Sequence, residues 1–168
     1  MKIKTTLLAC TLLSALGCGK SPLLNHAQAN GGGGNPGAPT PHLTDERGQC
    51  PLQFTGAGLC ASITWDKPPV SDAAATLVLR YWNKDSGTFN GPYINPSHAV
   101  GVKLWMPDMG HGSSPVAVAQ AVDQAGVAVP GVFKATNIYF IMPGAWEVHV
   151  QLKDGTTVVE EAVATVSI

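Results

Sequence analysis

An all-β sandwich is the fold this sequence predicts for residues 48–168. Three observations predict it. The region divides into seven short runs rich in Val, Ile, Thr and aromatic residues, separated by Gly, Pro, Asn and Asp. Several runs alternate apolar and polar residues at a period of two. No segment holds the period near 3.6 of an amphipathic helix. Seven short strands in about 120 residues is the signature of an immunoglobulin-like β-sandwich, and that length is ordinary for one core.

The expected strands follow in order. Residues 60–65 form the first. In the second, 76–82, Leu77, Leu79 and Tyr81 share one face, with Arg80 and Trp82 on the other. In the third, 99–106, Val100, Val102 and Leu104 point inward, and Lys103 and Trp105 outward. Residues 115–122 form a Val/Ala-rich fourth, 133–141 a fifth, 146–152 a sixth and 157–168 a seventh. In the sixth, Trp146, Val148, Val150 and Leu152 form one face, with Glu147, His149 and Gln151 on the other.

The N-terminal part has a different composition. Residues 1–17 read as a signal peptide: Lys2 and Lys4 precede an apolar run too short to span a bilayer as a mature helix. The run ends in Ala15-Leu16-Gly17-Cys18, which is similar to a bacterial lipoprotein signal. That resemblance implies cleavage before Cys18 and lipid on its sulfur; Ala15 stands where the pattern prefers Leu. An ordinary secretory signal is the alternative. Either way the mature chain is expected to be exported, and on the lipoprotein reading it is lipid-anchored in the cell envelope, facing the periplasm or exposed at the surface. Residues 18–47 read as a flexible tether, because Gly31-Gly32-Gly33-Gly34 and the Pro-rich stretch after it cannot bury a core. His26 and His42, within the tether, read as solvated.

Charge points to no polyanionic partner. Loss of residues 1–17 removes Lys2 and Lys4 and no acid, leaving 8 basic residues against 11 acidic, a formal net of −3. No basic run appears, and nucleic acid is not an expected partner. Of the four cysteines, Cys10 leaves with the signal and Cys18 takes the lipid. Cys50 and Cys60 remain, an even pair in an oxidising compartment, and read as a disulfide. Two thiolate copper ligands are the alternative.

The chemistry-bearing stretch is Trp105-Met106-Pro107-Asp108-Met109-Gly110-His111-Gly112. Two thioethers and an imidazole sit within six residues, with glycines on both sides of the histidine. The chain has four methionines, and Met1 is the initiator. The fourth, Met142, opens a second Pro/Gly-flanked motif, Met142-Pro143-Gly144-Ala145-Trp146. Thioether and imidazole donors together suit Cu(I), a soft ion. Met106, Met109, His111 and Met142 are therefore the candidate metal ligands, provided both loops lie at one end of the sandwich. The competing reading makes Met106 and Met142 core plugs at strand ends and His111 a turn residue. His98, before the third strand, and His149, on a polar strand face, are weaker candidates. Asp108 is a candidate second-layer support for His111. No Ser/His/Asp order, paired acids, phosphate loop or His-Glu-x-x-His signature is present, so the expectation is a protein that is not an enzyme.

Leu104-Trp105-Met106-Pro107-Asp108-Met109-Gly110-His111-Gly112-Ser113, followed by Pro115-Val116, resembles the first signature of the FixH/YtkA-like domain family. Gly131-Val132-Phe133 and then Phe140-Ile141-Met142-Pro143-Gly144-Ala145-Trp146-Glu147-Val148 resemble its second. The resemblance implies an immunoglobulin-like extracytoplasmic domain tied to copper handling and cytochrome oxidase assembly. Met106, Met109, His111 and Met142 match the motif positions. The lipoprotein signal departs from the FixH branch, which has a transmembrane anchor, and is like the YtkA branch. The expected function is a lipid-anchored Cu(I) chaperone or buffer with copper as its cargo. Its expected partners are the membrane, through Cys18, and a copper-accepting protein such as a cytochrome oxidase subunit. The alternative is a metal-free interaction module of the envelope, with Trp82 and Trp105 in a contact patch.

Overall fold

The structure, a computed structural model, describes residues 50–69 and 73–168. The expected signal peptide (1–17), the expected lipidation site Cys18 and the expected tether (18–47) lie outside these residues. The described part is a sandwich of two antiparallel sheets, as the alternation predicts. Its strands are β1 (Leu52–Phe54), β2 (Leu59–Lys67), β3 (Ala75–Asn83), β4 (Ala99–Met106), β5 (His111–Gly112), β6 (Ala117–Val122), β7 (Ala128–Ile138), β8 (Ala145–Asp154) and β9 (Thr157–Ser167). One sheet has the order β1-β2-β3-β7-β6 and the other β5-β4-β8-β9.

The inner faces are those the period-two pattern assigns. Leu77, Leu79 and Tyr81 of β3 are buried, and so are Val102, Leu104 and Met106 of β4. Trp146, Val148, Val150 and Leu152 of β8 join them, with Ala164 and Val166 of β9. Cys50 and Cys60 form a disulfide with a Cα–Cα distance of 5.0 Å, which clips the start of β1 to β2.

Some details depart from the sequence reading. Strands β1 and β5 hold three and two residues, too few for alternation to register. The fifth expected strand, 133–141, is instead β7, Ala128–Ile138. It begins earlier, where Ala128 pairs with Val122, and passes through Pro130 and Gly131, the latter at φ 66°. Near its end Asn137 takes φ 60°, a left-handed conformation that asparagine tolerates, where the register against β3 shifts before Ile138 pairs with Ala75. Trp82, on the outer face of its sheet, is only 2% exposed. Residues 83–93 fold back over it, with Phe89 edge-on to the indole at 6.1 Å and Tyr93 bridging to the Trp82 backbone. Trp82 therefore belongs to no contact patch.

Candidate functional site

Strand β4 delivers Met106 to one end of the sandwich. Its side chain follows the inward parity of Val102 and Leu104 and is 5% exposed. Pro107 then opens a single 3-10 turn, Pro107–Met109. Gly110 closes the turn at φ 65°, with its N–H directed at the carbonyls of Met106 (3.0 Å) and Pro107 (3.2 Å). The chain reverses at once into β5, where His111 pairs with Met106 and Gly112 with Trp105. Any Cβ at Gly112 would lie 2.9 Å from the Leu104 carbonyl oxygen, so only glycine permits this return. The hairpin leaves Met109 at its tip, 57% exposed, and His111 half-buried beside Met106.

The second motif meets the first from the opposite side. Met142 precedes β8 and is partly buried against the core. Trp146, at the start of β8, is fully buried and donates its Nε1–H to the Met142 carbonyl at 3.0 Å. Gly144 is held by two backbone hydrogen bonds with Ile168, both 3.0 Å. A Cβ on Gly144 would stand 2.5 Å from Met106 Cε, so the thioether tip of the first motif rests on the backbone of the second. The His111 imidazole lies edge-to-face with Trp146, 6.1 Å between centroids. Ser113 Oγ–H donates to the Tyr139 carbonyl and ties the two loops again.

Met106 and His111, paired across β4 and β5, lie against Gly144 and Trp146, the Met142 carbonyl is bonded to the Trp146 indole, and Met109 stands outward. The Nδ1 of His111 lies 2.9 Å from the Gly112 carbonyl oxygen. A carbonyl only accepts, so in the neutral ring Nδ1 carries the proton and Nε2 keeps the lone pair. The partner of Nδ1 is this carbonyl and not Asp108, whose expected supporting role has no hydrogen bond behind it here. The possible donors are thioethers on both motifs and the His111 imidazole, with Met109 on the exposed tip. That chemistry fits Cu(I). Among the described residues no group of three or more His, Cys, Asp or Glu is placed to hold a metal ion; thioethers are not in that set.

The other candidates lie elsewhere. His98 precedes β4, at the opposite end from Met106, about 26 Å away at the rise of an extended strand. It sits with Ser97 beside Glu160, whose carboxylate accepts from the N–H groups of Gly56 (2.8 Å) and Ala57 (3.0 Å). His149 lies on the outer face of β8, with Nδ1 2.7 Å from Glu161 and Nε2 2.9 Å from Glu147. Gln151 Nε2–H donates to the other Glu161 oxygen at 2.6 Å. Burial works to raise the Glu161 carboxyl. The hydrogen bonds from Gln151 and His149, with the charges of His149 and Lys103, outweigh it and hold the carboxyl below the ordinary glutamate range.

Sequence reasoning missed Gly144 and Trp146 as the residues that join the motifs. The available signal was an inward-parity tryptophan four residues beyond Met142, just after a Pro-Gly pair. No family model matches the chain, and no curated protein or solved structure is found to be similar to it.

Proposed function

We propose that this protein is an envelope Cu(I)-binding protein that buffers the ion or passes it on, using Met106, Met109, His111 and Met142. The observation that carries the reading is the contact of Met106 with Gly144. It brings the two motifs that carry these residues together at one rim of the sandwich, with the His111 Nδ1 turned to the Gly112 carbonyl, and this supports the reading. Neutral thioethers and an imidazole hold a soft monovalent ion without any thiolate. The outward Met109 gives such a site a ligand that an acceptor can displace first, so the cargo leaves by ligand exchange. Membrane attachment through Cys18, and a copper-accepting partner such as a cytochrome oxidase subunit, belong to the same reading.

The test is Cu(I) competition against a colorimetric chelator, with ascorbate as reductant. Wild type is expected to hold one Cu(I), and Met109→Leu and His111→Ala to yield it to the chelator more readily while remaining folded. Variants that hold Cu(I) as tightly as wild type, or a wild type that holds none, defeat the reading. A metal-free interaction module then takes its place. The observation favouring that alternative is apolar exposure on the same loops, at Met109, at Ile141 (58%) and at Tyr139 (41%).

A further inference from the structure

We infer that Trp146 is the positioning residue of this site: one buried indole holds His111 of the first motif and Met142 of the second in a single arrangement. The inference rests on the copper reading above and adds to it a residue that touches no ion. An indole N–H only donates, and a buried one needs a partner. Its partner is the Met142 carbonyl at 3.0 Å, so the bond fixes the Met142 backbone relative to β8. The same ring packs edge-to-face on the His111 imidazole, at an interplanar angle of 69°. With Nδ1 turned to the Gly112 carbonyl, that contact sets the direction of Nε2.

The indole is itself held from behind. Phe140 packs edge-on against it at 5.6 Å, and Trp65 packs edge-on against Phe140 at 6.0 Å. Two residues before it, Gly144 receives the Met106 methyl. Strands β4 and β5 bring Met106 and His111 to the rim, and residues 144 and 146 then contact the Met106 methyl, the His111 ring and the Met142 carbonyl. Met109 has no such support, consistent with a role as the exchangeable ligand.

The experiment compares Trp146→Phe with Leu152→Ala in the full chain. Phe keeps an aromatic ring in the slot and removes the N–H. Leu152, buried on the same strand at its far end, reports core damage without touching the rim. Trp146→Phe is expected to weaken Cu(I) roughly fivefold, the value of one buried hydrogen bond. In the copper-free protein it should also move the Met142 methyl and His111 ring resonances. Leu152→Ala should lower the melting temperature and move neither. A folded Trp146→Phe with unmoved resonances, or with wild-type Cu(I) affinity, overturns the inference. Should that variant not fold, wild type decides, because Trp146 must show nuclear Overhauser contacts to the His111 ring, and their absence overturns it too. A wild type that binds no Cu(I) defeats the copper reading, and the copper-free spectra still judge the positioning.

Discussion

Met106 rests its terminal methyl on Gly144, so close that a Cβ there would be 2.5 Å from Met106 Cε. The contact joins two motifs that lie on different strands of one sheet, β4 and the turn into β8. It also separates the two methionines of the first motif. Met106 is a buried plug as well as a candidate ligand, whereas Met109, three residues on, is a solvent-facing donor.

That difference predicts a split in stability. Met106→Ala should cost roughly 2–4 kcal/mol, through lost burial and the cavity left against Gly144. Met106→Leu, of similar volume, should cost less than about 1.5 kcal/mol. Met109→Ala should stay within about 0.5 kcal/mol, because the tip contributes nothing to the core. Urea denaturation of the three variants measures this; equal losses at 106 and 109 would contradict the burial difference.

The Cys50–Cys60 bridge clips the short strand β1 to β2. Closing so short a loop should stabilise by roughly 2–3 kcal/mol on the chain-entropy account. The double variant Cys50→Ala, Cys60→Ala is therefore expected to melt well below wild type. Alkylation of the untreated protein should leave both cysteines unlabelled by mass spectrometry, and two labelled thiols would refute the bridge.

How much of this was legible in the sequence follows element length and contact range. Alternation over β3, β4 and β8 sets the inner faces, because each strand is long enough to show its period. Met106 reads as inward by the same parity. β5 stays hidden because two residues carry no period, yet it is what returns His111 beside Met106. Trp82 reads as outward and is outward; its burial comes from residues 83–93 folding over it, which no local pattern reports. The Pro/Gly-flanked motifs mark two loops as candidates. Their meeting at one rim depends on the pairing of β4 with β8, a long-range contact that spacing does not encode.

On the outer face, Glu161 gives a pH prediction. Its carboxyl lies below the ordinary glutamate range in the folded protein, since the partners Gln151, His149 and Lys103 outweigh burial. A depressed folded pKa adds stability at pH values above the unfolded one, about 4.3. That stability is lost as pH falls through the folded value. Glu161→Gln should therefore reduce stability near neutrality and leave it closer to wild type in acid. Thermal melts of both proteins across that range check it, and a difference that grows on acidification would reverse the sign.

Cys18 lies outside the described residues, and its prediction rests on the Leu16-Gly17-Cys18 ending followed by a Gly-rich stretch. Cys18→Ser is expected to block maturation or release the protein to the soluble fraction. Membrane fractionation with metabolic lipid labelling reads both. A variant that is processed normally and stays with the membrane would show that the anchor lies elsewhere.

The pH dependence of Cu(I) binding separates a thioether site from a thiolate one. Thioethers do not titrate, so of the four proposed ligands only His111 competes with protons. The logarithm of the Cu(I) affinity should therefore rise with pH by at most about one unit per pH unit. A site built on two thiolates would approach a slope of about two over the range where both thiols titrate. His111→Ala should flatten the slope while leaving residual binding to the thioethers. Zn(II), which prefers imidazole, thiolate and carboxylate donors, should compete poorly in the same assay. A slope near two, or Zn(II) displacing Cu(I), would remove the methionines from the coordination sphere and return the metal question to other residues.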